Sequence, residues 1–126
     1  MPLARWASDL GPTNPIILRI VANGQLDPTP ISGLPTIYVK QDGGLLDVAV
    51  HPDYAKNGWV YLAYVETGTA PNTSMTVVIR GRIKDHGWVD QETLFRADQK
   101  HYTPIDTSHY GCRFLFDREG HLFFSI

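Results

Sequence analysis

Apolar residues along this chain fall in short runs broken every few positions by Gly, Pro, Asn or Asp. No window of about eleven residues shows the i, i+3, i+4, i+7 spacing of an amphipathic helix, so the pattern predicts strands. Ile16 to Ala22 (IILRIVA) is rich in β-branched residues and stops at Asn23-Gly24, the dipeptide best suited to a tight hairpin turn. Leu45 to His51 (LLDVAVH) leads through PDYAKNG into Trp59 to Glu66 (WVYLAYVE), a hairpin with a long turn. In Met75 to Lys84 (MTVVIRGRIK) the residues Val78, Arg80, Arg82 and Lys84 face one way, and Val77, Ile79, Gly81 and Ile83 the other. Asp85-His86-Gly87 then turns the chain into WVDQETLFRA. Four successive strands joined by turns predict an up-and-down antiparallel sheet.

A repeat extends this picture. GLLDVAVHPDYAKNGWVYLAYV and GCRFLFDREGHLFFSI share one plan: Gly, an apolar strand, Asp in the turn, Gly, and a strand of aromatic and aliphatic residues. Their first glycines, Gly44 and Gly111, stand 67 positions apart, and Gly58 and Gly120 stand 62 apart. Repeated four-stranded units, each too thin to bury both faces alone, are the signature of a β-propeller, whose blades run about 40 to 50 residues. The expected fold is all-β: about one complete four-stranded antiparallel blade plus parts of two neighbours. Residues 1–15 are expected to be an irregular N-terminal segment and residues 16–126 a partial propeller domain. We expect the sequence to be a piece of a larger ring, whose open strand edges would drive self-association. A small β-sandwich, or an oligomer that completes its sheets between chains, is the alternative.

Charge narrows the function classes. Eleven basic residues oppose 13 acidic ones, for a net charge of −2, which gives no electrostatic footprint for nucleic acid. No apolar run approaches the roughly 20 residues of a membrane span, and the opening MPLARWASDLGPTNP lacks the apolar stretch of a signal peptide. Cys112 is the sole cysteine, which excludes an intrachain disulfide and a Cys-rich metal site.

Among candidate chemical groups, His109 precedes the strand CRFLF in a loop of Ser, Thr, Asp, Pro and Gly. In a propeller such an entrance can lie at the mouth of the central channel, where a neutral imidazole can take a proton from a hydroxyl. Taken alone, a histidine so placed is more often structural or merely exposed. His51 is read as ending a strand, His86 and His121 as flanking turn glycines, and His101 as part of a polar loop. Metal-ligand spacings are missing, including any calcium-loop pattern through Asp42, Asp47 and Asp53. Ser108-His109 lacks a nucleophile elbow, and no glycine-rich phosphate cradle occurs. Asn72-Thr73-Ser74 matches the glycosylation pattern, which has meaning only in a eukaryotic secretory setting. Trp6, Trp59 and Trp88 are read as packing between blades rather than as sugar-stacking platforms.

Two stretches resemble a known family. GGLLDVAVHPDYAKNGWVYLAYVE and HYGCRFLFDREGHLFFSI are similar to segments of the soluble aldose sugar dehydrogenases that use pyrroloquinoline quinone (PQQ), the glucose/sorbosone dehydrogenase family. The first is a specific signal along its whole length; the second carries an HxxxR segment, an apolar strand and Asp-x-x-Gly. The resemblance runs from about Ile16 to Ile126, with RGRI and LFRA in place, and does not include residues 1–15. It implies a six-bladed β-propeller with quinone and sugar bound over the central channel. It further implies that His109 is the general base, taking the anomeric proton of an aldose that becomes a lactone while a calcium ion polarises the accepting quinone carbonyl. Electrons would pass to an external acceptor. Arg113 matches in position and is read as structural. Where the family commonly places a sugar-contacting Gln, the aligned residue is Asp42, with Gln41 one position earlier, so Asp42 is the substrate-binding candidate. Cys112 replaces a small residue. The PQQ-binding residues and calcium ligands are expected downstream of Ile126, so no metal site is expected within this chain. The piece alone is expected to bind neither group fully and to be inactive. The parent is expected in the periplasm or secreted. The same propeller occurs in non-catalytic extracellular binding modules of the Hedgehog-interacting type; these are usually rich in cysteine, so a single Cys favours the enzyme.

Overall fold

The computed structural model describes residues 17–106 and 109–126 with their side chains, and 3–7 and 107 as backbone. Leu3–Ala7, inside the segment expected to be irregular, is instead a strand, β1, paired antiparallel with β2 (Ile17–Ala22). Five residues are too short a run to announce themselves by pattern; the open edge of β2 decides their conformation. Asn23 and Gly24 both adopt positive φ, 51° and 75°, and return the chain to β3 (Gln25–Leu26), as the primed hairpin turn requires.

The main sheet is the expected blade. β4 (Leu45–Val50), the single helical turn α1 (Tyr54–Asn57), β5 (Val60–Thr67), β6 (Thr73–Lys84) and β7 (Gly87–Phe95) follow in order, each strand antiparallel to the next. The short strand β8 (Thr103–Pro104) pairs with β6 at Thr73 and Ser74, at the end that β7 leaves open. β9 (Leu115–Phe116) and β10 (Leu122–Phe123) form a separate small hairpin.

β5 explains the layering. Every residue from Val60 to Val65 is buried, so this strand is covered on both faces. On one face Val60, Leu62 and Tyr64 join Val77, Ile79 and Trp88 and meet Leu18 and Ile31 from the β1–β3 side. On the other, Tyr61 lies 5.0 Å from Phe116 and 6.5 Å from Phe114, ring centre to ring centre. Phe95 meets Phe124 in the same layer at 5.8 Å. One blade is thus packed between parts of two neighbours. The alternation read for Met75 to Lys84 holds: Val77 and Ile79 belong to the first core, with Ile83 packed against it.

Trp88 is buried, as expected, but Trp59 corrects the packing expectation. It is only partly buried and carries two guanidiniums, Arg80 at 4.2 Å and Arg82 at 3.6 Å from the ring centre. Both arginines project from the polar face of β6, so their attraction to the indole face sets its environment. The side chain of Trp6 lies outside the described residues.

Candidate active site

Two loops carry the candidate residues, and the blade holds both. The first runs from Tyr38 to Gly44. The Tyr38 amide donates to the Val65 carbonyl at 2.8 Å and the Val65 amide to the Gly44 carbonyl at 3.0 Å, so the loop is sewn to the end of β5. Within it the Gly43 amide donates to the Lys40 carbonyl at 3.0 Å, and Gln41 takes φ of 53°, closing a turn with Asp42 exposed beside Gly43.

The second loop leads from β8 to β9. His109 is exposed there and Tyr110 is buried; Ser108 lies outside the described residues. The Tyr110 hydroxyl shares a hydrogen bond of 2.8 Å with Ser74 Oγ, and Thr76 Oγ1 donates to the Tyr110 carbonyl at 2.6 Å. Four residues on, the Phe114 amide donates to Asp47 Oδ2 at 2.7 Å, while Asp47 Oδ1 accepts from the Val48 amide at 3.0 Å. Asp47 is buried on β4, so its carboxylate ties the blade to the next repeat.

The two loops meet at Tyr110. A Cβ on Gly43 would stand 3.3 Å from Tyr110 Cε2 and 3.2 Å from the Lys40 carbonyl oxygen, so the ring packs closely against this glycine. His109 and Asp42 are each the chain neighbour of a residue in this contact. Ser74, Thr76, Asp47 and Tyr110 were not singled out as site residues from the sequence. The available signal was polar residues inside apolar strands, as in TSMTVVI and LLDVAV.

Arg113, read as structural, makes only a loose contact: its guanidinium is 3.7 Å from Asp47 Oδ1 with the side chain 86% exposed. Such a pair contributes at most about 1 kcal/mol. Burial pushes the Cys112 thiol pKa up, with the Asp47 charge adding to it, which disfavours the nucleophilic thiolate. His51 follows β4, as read; its Nδ1 accepts from the Asp53 amide at 2.9 Å and faces the Asn57 side-chain amide at 2.9 Å. With both contacts at Nδ1, His51 ties α1 to the end of β4.

Sequence spacing points to no metal constellation, and the fold brings one group of possible donors together. The β9–β10 turn gathers Asp117, Glu119 and His121 with one donor atom each within 4.8 Å. Their alternate spacing matches no standard motif; the hairpin brings them together. Two of the three are already engaged: Asp117 Oδ1 accepts the Glu119 and His121 amides at 2.9 and 2.8 Å, and Asp117 Oδ2 pairs with His121 Nδ1 at 2.8 Å, while the Glu119 carboxylate stands 3.7 Å from His121 Nδ1. The hydrogen bond from His121 chiefly holds the Asp117 carboxyl below its ordinary pKa. This is a turn that seals itself.

A second polar cluster lies at the same end of β5, next to Val65. Arg96 donates to both carboxylate oxygens of Glu66, at 2.9 and 3.2 Å, and the Tyr102 hydroxyl also donates to Glu66. Burial first, and then that hydrogen bond, push the Tyr102 hydroxyl up to about 12. Glu66 and Arg96 border a cleft of about 410 Å³ walled by residues 35–39.

The family model of glucose/sorbosone dehydrogenases matches residues 13–126, which include both loops and the whole blade. The chain belongs to the glucose/sorbosone dehydrogenase family. Within this family it is 32% identical over 130 aligned residues to the aldose sugar dehydrogenase YliI of Escherichia coli strain K12, covering 96% of this chain and 34% of that protein. A crystal structure of glucose dehydrogenase superposes with a TM-score of 0.73 at 33% identity, over 84% of this chain and 30% of that one. The apo-form of the soluble aldose sugar dehydrogenase of Escherichia coli gives a TM-score of 0.70 at 35% identity, again over 84% and 30%. The chain thus spans about a third of the length of the relatives it matches. The family assignment and the strand order agree: this is one blade of a glucose/sorbosone dehydrogenase propeller with parts of its neighbours.

Proposed function

We propose that this chain carries the general base of a PQQ-dependent aldose dehydrogenase, the parent enzyme oxidising the anomeric carbon of a sugar to the lactone. The observation that supports it best is the meeting of the two loops: an exposed His109 and an exposed Asp42 flank a single buried contact, Tyr110 against Gly43, at the edge of the blade. His109 accepts the proton of the anomeric hydroxyl as that carbon gives up its hydrogen with two electrons and its C–O bond becomes the lactone carbonyl. Asp42 accepts a hydrogen bond from a sugar hydroxyl, in place of the amide that the family commonly uses.

When bound, PQQ supplies the two-electron sink and calcium polarises its accepting carbonyl. The described residues do not by themselves fit these groups. PQQ carries three carboxylates, whereas the described part of the His109 loop offers one guanidinium, Arg113, already beside Asp47. Asp117 and His121 are engaged with each other, which leaves the exposed Glu119 carboxylate as a single donor. We assign both groups to residues outside this chain, with the electrons going on to an external acceptor. A parent exported to the periplasm or secreted fits an extracellular sugar substrate. By itself the chain is inactive and self-associates through its exposed apolar positions, Leu115, Phe123 and Ile126.

The test is dye-linked aldose oxidation by the complete holoenzyme. His109→Ala lowers turnover by a factor of about a hundred or more while quinone still binds. Unchanged turnover would refute the assignment of His109 as the base, and no turnover by the unsubstituted protein would favour a non-catalytic binding propeller.

A further inference from the structure

A buried hydroxyl is costly unless paired, so the partner for which an apolar strand keeps one is informative. β6 keeps two. Ser74 and Thr76 are both fully buried and, two residues apart, lie on one face of the strand. Both serve the same residue. Ser74 bonds the Tyr110 hydroxyl at 2.8 Å, and Thr76 bonds the Tyr110 carbonyl at 2.6 Å, so Tyr110 is gripped by side chain and main chain together. Asp47 then grips the Phe114 amide at 2.7 Å, which fixes the segment at its other end. His109 stands one residue outside the first fixed point. At its Cε2 edge the Tyr110 ring closes on Gly43, one residue from Asp42.

We propose that Tyr110 is the positioning residue of this site. Held by Ser74 and Thr76, it sets where His109 stands and, through its ring, where the Asp42 turn stands beside it. The Ser74 bond satisfies the buried phenol, but the Thr76 bond goes to the main chain, which a ring that merely filled space would not need. The proposal rests on the reading of His109 as the base; it adds that the blade, and not the loop's own sequence, determines the base's position.

The experiment compares Thr76→Val, which keeps the shape and removes the donor, with Thr76→Ser, which keeps the donor, in the complete holoenzyme. Thr76→Val lowers kcat for aldose about tenfold with KM changed less than about twofold, and Thr76→Ser restores kcat to within about twofold. Tyr110→Phe keeps the ring and loses only the Ser74 partner; kcat falls about threefold. Gly43→Ala, which pushes the Asp42 turn off the ring, raises KM instead. In the apo-protein, the amide resonance of Gly111, whose peptide group contains the gripped carbonyl, and the His109 ring resonances shift in Thr76→Val and return in Thr76→Ser. Full turnover and unshifted resonances in Thr76→Val would overturn the proposal. So would equal losses in Val and Ser that track the thermal midpoint, since those mark a purely structural role. If His109→Ala keeps full turnover, the base reading falls separately, and the Gly111 and His109 resonances still decide whether Tyr110 is the anchor.

Discussion

The two repeats share a sequence plan and end in different states. In the first, β4 and β5 run six and eight residues, and β5 is buried from Val60 to Val65. In the second, β9 and β10 pair over two residues each, and Leu115 and Phe123 remain 67% and 55% exposed. Similar apolar content therefore did not give similar strands. The first repeat has β6 and β7 beside it and packed residues on both faces; β9 and β10 have each other and, on one face, Tyr61 and His51. Strand length in a propeller blade is set by how many partners stand alongside, because each ladder bond and each buried side chain must offset backbone ordering of about 1–2 kcal/mol per residue.

The contrast is broken most strongly at the centre of the first repeat. Leu62→Ala removes a fully buried side chain from β5 and lowers unfolding free energy by about 2–5 kcal/mol, read from the urea midpoint. A loss below about 1 kcal/mol would mean that the two repeats are equally loose. Next comes Gly81, where an added Cβ would stand 2.5 Å from two ring carbons of Trp88. Gly81→Ala forces the indole out of its seat and costs about 1–3 kcal/mol, checked by the same midpoint and by Trp fluorescence.

Acid separates the blade's long-range pairing from the β9–β10 turn more gently. Asp27 and His86, 59 residues apart in sequence, pair at 2.8 Å, and that bond chiefly holds the Asp27 carboxyl below its ordinary pKa. Asp117 is lowered in the same way by His121, but within one turn. A carboxyl with a depressed folded pKa contributes stability above its unfolded value of about 3.9, and loses it as pH falls through the folded value. Lowering the pH from 5 toward 2 therefore weakens both. His86→Gln flattens the acid dependence of the global urea midpoint, whereas His121→Gln alters only amide exchange in the β9–β10 turn. Identical effects of the two substitutions on the global midpoint would contradict the contrast. The smallest expected effect on stability is at Leu115 and Phe123: replacing both by Ser changes the midpoint by no more than about 0.5 kcal/mol per site. The same pair of changes lowers self-association in sedimentation, and a tight monomer before substitution would show that these side chains are already covered.

The blade was legible because its signals are local. Asn23-Gly24, the alternation in β6 and the continuous apolar run of β5 each specify backbone or burial within a few residues. The repeat of Gly, strand, Asp and Gly made the propeller legible too, and His109 and Asp42 became candidates through a motif match. What escaped were roles that depend on distant partners. Trp59 reads like any strand aromatic, yet Arg80 and Arg82 cover its faces. Asp117, Glu119 and His121 match no ligand spacing and meet only because a hairpin folds there. Ser74 and Thr76 look like ordinary strand residues until Tyr110, more than 30 positions on, arrives against them.

By itself, then, the sequence determined an all-β chain, the order of the blade's strands from β4 to β7 and the family to which it belongs, since periodicity, turn dipeptides and motif identity are properties of neighbouring residues. Tertiary structure alone decided how long each strand runs, which polar side chains are buried with partners, and that the His109 and Asp42 loops share Tyr110. Those outcomes depend on contacts between segments 30 or more residues apart, and a buried hydrogen bond or a closed packing gap exists only when both sides have come together.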